Sequence, residues 1–444
     1  MSKVVIIGAG AAGLMAACAA LTQGHEVLVV EKNEKAGKKI YITGKGRCNL
    51  TSACETAEFF GHVVTNPRFL YSAVYGFDNT QVMQFFEENG CPLKIERGER
   101  VFPVSDHASD VTDTLVRFIR RNGGKILFHT EIISLIIRDG RAAGVRCADG
   151  KSISADAVIV CTGGRSYPTT GSTGDGWRFA KEAGHTVREA RPSLVPLVTK
   201  EDWCRQLQGL ALKNVALTVK PTESNKAQEI DSGEASADSG KDAATGSGKG
   251  RGKGKKKKKG PVYDGFGEML FTHFGVSGPL VLTASCSMDF AEYPKGFDLT
   301  LDLKPALTKE QLALRIKREI EASPLRQLPG LMRRLFPARL SEIMVQLSGL
   351  DPARTGRSLT EQEISALCDL TKCVVIHAVS ARGFAEAIVS SGGVEPKEID
   401  PSTMESRLVP GLYFAGEVID VDAVTGGFNL QIAWSTGHLA GSSI

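Results

Sequence analysis

The chain has 444 residues, 42% hydrophobic and 23% charged, which is ordinary for a globular protein of about two or three domains with ample core. Ten cysteines are too few for a disulfide scaffold, and no two stand in the C-x-x-C spacing of structural zinc, so a reduced, cytoplasmic, metal-free protein is expected. The net charge of +4 belongs to one stretch: residues 222–260 hold ten Lys or Arg against six Asp or Glu, which leaves the remainder neutral and argues against a basic body built for nucleic acid.

The N-terminus opens with Val4-Val5-Ile6-Ile7, then Gly8-Ala9-Gly10-Ala11-Ala12-Gly13, an apolar helical run to Leu21, and a second strand, Val27-Leu28-Val29-Val30, ending on Glu31. Strand, glycine turn, helix, strand and acid within one βαβ length form a dinucleotide-binding pattern. Gly8 permits the turn, Gly10 lets backbone approach a pyrophosphate, and Gly13 lets helix and strand pack closely. The helix N-terminus faces phosphate charge. Glu31 can accept from a ribose hydroxyl and would repel a 2′-phosphate. Residues 4–21 could also read as a signal peptide or membrane span. Only Lys3 supplies a positive flank, however, glycines interrupt the run, and a strand ending in an acid is not expected after a cleaved signal. No later run is long and apolar enough to span a bilayer.

Next comes a glycine-punctuated loop, Lys38-Lys39-Ile40-Tyr41-Ile42-Thr43-Gly44-Lys45-Gly46-Arg47-Cys48-Asn49, whose cations and amides suit a phosphate or an electron-rich ring, or simply water. Pro67 opens a helix, Asp78 caps the next, and residues 106–122 form a third, with a small hairpin at 93–102 between the last two. Short strands separated by Asp-Gly turns over 125–161 read as a meander. Its last strand, Ala157-Val158-Ile159-Val160-Cys161, is fully apolar like a buried parallel strand. It enters Thr162-Gly163-Gly164, and a glycine loop at 171–176 precedes another helix.

From Pro192 the pattern changes to alternating β-type runs at 195–198 and 215–219. Residues 222–260 cannot bury enough surface to offset their ordering entropy and are expected to be disordered. Their run Lys255-Lys256-Lys257-Lys258-Lys259 could bind RNA or anionic lipid, or be a solvated loop. Strands are expected near 268–271 and 297–303, and strand-like or extended structure at 373–378 and 384–389, with helices at 279–287, 309–320, 328–336, 340–347 and 360–370. Near the C-terminus, Leu412-Tyr413-Phe414-Ala415 runs into Gly416-Glu417. Thr425-Gly426-Gly427-Phe428-Asn429 then precedes a helix starting at Leu430, whose dipole favours negative charge at its start.

Three strand-to-glycine junctions, near residues 8, 162 and 416, span the whole chain. NAD alone would need only the first half, whereas FAD in a two-dinucleotide-binding-type α/β fold would use all three. Its ADP part would lie on Gly8 to Gly13 and its ring at Phe428 and Asn429. No second G-x-G-x-x-G is present, so NAD(P)H as electron donor would dock directly on the flavin.

The stretches 37–49, 270–279, 392–405 and 411–429 resemble the BaiN-type (YhiN-like) flavoproteins over nearly the whole chain. That resemblance implies a Rossmann-like FAD domain from residues 1–190 and 386–444. It also implies an inserted β-rich domain from 191–303 and 371–385 and a helical subdomain at 304–370. The FAD contacts it implies are Gly8, Gly10, Gly13, Glu31, Arg47, Cys48, Asn49, Ile132, Thr162, Gly163, Gly416, Glu417, Gly427, Phe428 and Asn429, and the neighbouring Ala11, Ala12, Lys32, Lys38, Gly426 and Leu430 complete the expected cofactor-binding set. Ile132 would act through its backbone at the adenine. Members are linked to reduction in bile-acid dehydroxylation, and some relatives are labelled aminoketone oxidases.

The expected function is therefore an FAD-dependent, NAD(P)H-fed reductase of a small unsaturated or carbonyl substrate. The alternatives are a peroxide-forming oxidase and a flavin-containing RNA-binding or RNA-modifying protein. The catalytic acid is unassigned. Tyr167 and His273 are candidate proton donors or merely packed loop residues. Cys48 beside Arg47 could be a thiolate, a cofactor-packing residue, or one half of a redox pair with Cys54.

Overall fold

The computed structural model describes residues 1–222 and 260–444. The expected disorder of 222–260 and the Lys255–Lys259 run fall, but for the flanking residues, outside the described residues.

Five short strands build one parallel sheet in the order Leu412–Phe414, Ala157–Val160, Lys3–Ile7, Glu26–Val30, Lys125–Leu127. Val4, Val5, Ile6, Val158, Ile159 and Val160 are wholly buried, as expected where helices cover both faces of a parallel sheet. The register pairs Ile7 with both Val30 and Val160, so the glycine turn after Ile7 and the loop after Val160 leave the sheet side by side. The helix Ala11–Thr22 covers one face, and the closing helix Phe428–Ser442 packs against it. That crossing is close because Gly437 and Gly441 lie over the carbonyls of Ala12 and Ala16, where a Cβ would stand 2.4 and 2.2 Å away. Asp78 caps its helix in a reciprocal box with Gln81.

The meander is shorter than the sequence suggests. Only Ile132–Arg138, Arg141–Cys147 and Ser152–Ser154 form it, while Lys125–Leu127 leaves to pair in parallel with Glu26–Val30. Edge pairing in the larger sheet outweighs the local hairpin signal.

A second hydrophobic core surrounds a closed six-stranded antiparallel barrel made by Leu197–Thr199, Gly275–Ser277, Tyr263–Phe271, Ala211–Pro221, Phe297–Asp302 and Val374–Ala381. Alternation places Leu217, Val219, Met269, Phe271, Leu299, Leu301 and Ile376 in its core. Helices Lys309–Ala322, Leu328–Met332, Ala338–Ser348 and Glu361–Lys372 share that core, and the first and last begin with capping boxes at Thr308 and Thr360. The chain crosses between the two cores on a two-stranded ribbon, Arg191–Ser193 against Val389–Ser391. The strand-like or extended reading of 384–389 is corrected over most of its length: residues 383–387 turn, with Glu386 and Ala387 both donating to the Gly383 carbonyl, and only Val389 enters a strand. Among the described residues no helix is long and apolar enough to cross a membrane.

Candidate functional site

A long pocket with about 1330 Å³ of empty space, counting its open mouth, runs along the C-terminal ends of the parallel strands, where open α/β sheets bind ligands. Its middle wall is the first glycine turn. Gly8 adopts φ +102°, and its N–H donates to Val30. A Cβ on Gly13 would stand 1.9 Å from the Gly8 carbonyl oxygen, so that helix turn and the strand end are pressed together. A Cβ on Gly10 would meet nothing within 4 Å. Gly10 caps the Ala11–Thr22 helix without any side-chain partner, which leaves an open cradle at a positive helix end.

At one end of the pocket lies Glu31, 9% exposed, whose carboxylate accepts from Ala9 N–H (2.8 Å), Asn33 N–H (2.9 Å) and Asn33 Nδ2 (2.7 Å). Those donors fix the carboxylate while leaving further lone pairs toward the pocket. Ile132, Thr162 and Gly163 line the same region, and the Thr162 hydroxyl is buried without a hydrogen-bond partner. Lys32 lines it as well but is held by Asp175 (2.6 Å) and Thr173. Lys38 reaches Asn33 Oδ1 and Glu34.

The other end is the start of the closing helix. Asn429 and Leu430 line the pocket, and the helix has no side-chain N-cap. The Asn429 side chain bridges the Ala423 N–H (3.0 Å) and C=O (2.7 Å), which ties the preceding glycine loop to the helix. Gly416 and Glu417 complete the wall. An open glycine cradle, a fixed acid and two positive helix ends in one slot fit a phosphorylated dinucleotide that reaches from the sheet's centre to the closing helix. The residues present fit FAD.

Other sequence-derived candidates stand elsewhere. Gly13 lies behind the wall, and Gly426, Gly427 and Phe428 do not line the pocket; Phe428 stacks on His62. Arg47 is drawn away by Glu96 (2.7 Å) and Asp106 (3.5 Å) and lies over the Phe102 ring. Cys48 is fully buried away from the pocket wall, and burial pushes its thiol up to about 12, which favours neither a thiolate nor a cofactor contact and makes it a core residue. Cys48 and Cys54 are separate free thiols. Asn49 keeps a buried, unpartnered Oδ1 outside the pocket wall. Tyr167 sits at φ +50° with its N–H on the Phe384 carbonyl, and His273 lies exposed against Phe274 on the barrel; neither lines the pocket.

Two groups at or near the site are not singled out as contacts by the sequence. Lys39, beside Lys38, bonds Glu417 at 2.7 Å and also Ser166; its place in the Gly37-Lys38-Lys39 run is the available signal. Asp422 is 1% exposed and accepts from the Ser193 hydroxyl at 2.8 Å, while burial raises its carboxyl above the usual range. Nothing local marks it out from Asp420.

The chain is similar to known proteins over its full length. It is 29% identical to a 3-dehydro-bile acid delta(4,6)-reductase of Clostridium scindens, covering 99% of this chain and 98% of the relative. It is also 29% identical to a ribosomal RNA dihydrouridine synthase of Haemophilus influenzae, covering 100% and 98%. A 3-ketosteroid delta1-dehydrogenase structure from Sterolibacterium denitrificans aligns over 99% of this chain and 98% of its own, at 14% identity and a TM-score of 0.49. The HI0933-like protein Rossmann domain family matches residues 2–443, and the chain belongs to that family of FAD-dependent oxidoreductases.

Proposed function

We propose that the chain is an NAD(P)H-fed reductase of a carbon–carbon double bond conjugated to a carbonyl, with FAD held in the pocket described above. The observation that carries the reading is the single continuous slot from Glu31 to Asn429. Gly8, Gly10, Ala11 and Ala12 would hold the pyrophosphate, Glu31 the ribose and Ile132 the adenine edge. Thr162, Gly163, Gly416, Glu417, Asn429 and Leu430 would hold the remainder. When bound, FAD supplies two-electron transfer between a nicotinamide and an organic acceptor. The chain's own contribution is the positive start of the closing helix, which favours negative charge gathering there.

The reaction class is supported by what two relatives' names share. A delta(4,6) double bond beside a 3-oxo group and the C5=C6 bond of uridine are both alkenes polarised by a carbonyl. Each takes a hydride at the far carbon and a proton at the near one.

Anaerobic mixing of the FAD-loaded protein with NADH or NADPH, followed at about 450 nm, tests the reading. Bleaching by one nucleotide, then recovery on adding a 3-oxo-4-ene steroid or a uridine-containing oligonucleotide, is expected. Absence of bleaching with either nucleotide, or recovery with air alone, would overturn it and favour an oxidase.

A further inference from the structure

Four lysines from the loop after the second strand line the slot, and three of them are committed elsewhere. Lys32 is held by Asp175, Lys35 lies over the Tyr41 ring, and Lys38 reaches Glu34 and Asn33. Because Asn33 also holds Glu31, Lys38 belongs to the ribose end. Lys39 turns the other way. Its ammonium bonds Glu417 at 2.7 Å and the Ser166 hydroxyl. The other Glu417 oxygen takes the Ser390 N–H, next to Ile388 and Val389, which line the slot together with Asn429. An ammonium has three N–H donors. Two of those on Lys39 are used, and the third has no protein acceptor among the described residues.

Glu417 cannot swing out of this wall. Three donors fix its carboxylate, and Gly164 packs so closely that a Cβ there would stand 2.8 Å from Glu417 Oε1. Lys39 is not required for that hold, since Ser166 and the Ser390 N–H grip the other oxygen without it. Its effect is electrostatic. A fixed carboxylate beside a flavin opposes the negative charge that reduction brings, the more so where solvent screening is incomplete. The two side chains are 24% and 19% exposed, so screening there is partial. With Lys39 in place the wall is neutral, and the positive start of the closing helix is the field that remains.

We propose that Lys39 sets the reduction potential of the bound flavin, by cancelling the Glu417 charge and leaving its third N–H for the cofactor. Each member of the pair alone moves the potential in the opposite direction to the other. The assignment deepens the proposed function but needs only FAD in the slot, whatever its electron donor and acceptor.

Slow anaerobic photoreduction of the full-length, FAD-loaded protein against a reference dye reads that potential. Lys39→Met leaves Glu417 unanswered. At a fixed potential its ratio of reduced to oxidised flavin should fall about tenfold, which is about 30 mV for a two-electron couple. Glu417→Gln leaves the cation unanswered and should raise the ratio by a similar factor. The double variant should return close to wild type, and Lys39→Arg should keep the wild-type value. Melting temperature and FAD absorbance after gel filtration confirm that each variant is folded and loaded. A purely structural pair would move both single variants in the same direction or move neither, and either result sinks the proposal. If Lys39→Met sheds its FAD, Glu417→Gln decides alone, and an unchanged or lowered potential in that variant is the overturning result. A wild type that bleaches with neither NADH nor NADPH would end the reductase reading and leave these potentials, and the role of Lys39, standing.

Discussion

Lys39 and Glu417 stand 378 positions apart in the sequence and meet at 2.7 Å in the wall of the pocket. The second Glu417 oxygen accepts from the Ser166 hydroxyl at 2.9 Å and from the Ser390 N–H at 2.8 Å. One carboxylate thus ties together the loop after the second strand, the loop after Val160, the ribbon returning from the barrel and the approach to the closing helix. Glu417→Ala would leave the Ser390 N–H unpaired and Lys39 without its counter-ion. Because the side chains are 24% and 19% exposed, solvent screens part of the loss, and about 1–3 kcal/mol is expected. A thermal melt should show a lower midpoint and FAD should be retained more weakly. Glu417→Gln, which keeps an acceptor, should recover part of both. An Ala variant that melts with wild type would refute the tie.

The two glycines of the turn make opposite predictions. Gly13→Ala would place a methyl 1.9 Å from the Gly8 carbonyl oxygen, and neither backbone segment can yield without parting helix from strand. Little soluble, folded protein is expected. Gly10→Ala meets open space, at φ −83° and ψ −170°, so the fold should be kept, with a midpoint within about 2 °C of wild type. The methyl would occupy the cradle, and FAD absorbance after gel filtration should fall sharply. Full FAD retention by Gly10→Ala would show that the pyrophosphate lies elsewhere.

These glycines also mark what could be read from the chain before it folds. Strand, turn and helix at residues 3–30 obey local rules, and so do the cap at Asp78 and the boxes at Thr308 and Thr360. Each depends on neighbours within about one turn. Arg47 departs from its expected role for the opposite reason. Its direction is set by Glu96, 49 positions away on a hairpin, and no periodicity encodes that pairing. Lys125–Leu127 joins a different sheet from the one its turns suggest because an edge strand this short carries no signal for its partner. The ribbon that joins Arg191–Ser193 to Val389–Ser391 brings Val389 to the pocket across the whole barrel, a distance that sequence spacing does not report.

Cysteine chemistry supplies a further check. All ten cysteines are free thiols, eight are buried, and Cys373 alone is exposed. Burial raises the Cys48 thiol to about 12 and pushes Cys18 and Cys161 up as well. A thiol reagent at pH 8 should titrate one group rapidly in native protein, lost in Cys373→Ser, and ten in denaturant. Raising the pH to 9 should not bring in Cys48, since the folded protein keeps it protonated there. Fast loss of a second thiol that vanishes in Cys48→Ser would revive a reactive role for that residue.

Asp422 gives the stability a pH dependence of known sign. Its carboxyl is 1% exposed, with Oδ2 taken by Ser193 and Oδ1 unpartnered. Burial raises its pKa above the ordinary value of an unfolded aspartate, and the nearby Glu417 charge adds to the rise. The folded state therefore binds the proton more tightly than the unfolded state. Its contribution is complete below the ordinary aspartate range and is lost as pH rises through the raised value. Asp422→Asn keeps an acceptor for the Ser193 hydroxyl and removes the buried charge. At pH 8 it should be more stable than wild type by about 1–3 kcal/mol, because the Ser193 and Thr65 hydroxyls offset only part of the cost of the buried charge. The difference in melting midpoint should shrink toward pH 4. A difference that stays constant across that range would mean that Asp422 titrates normally and that its seat at the ribbon is wetter than its burial implies.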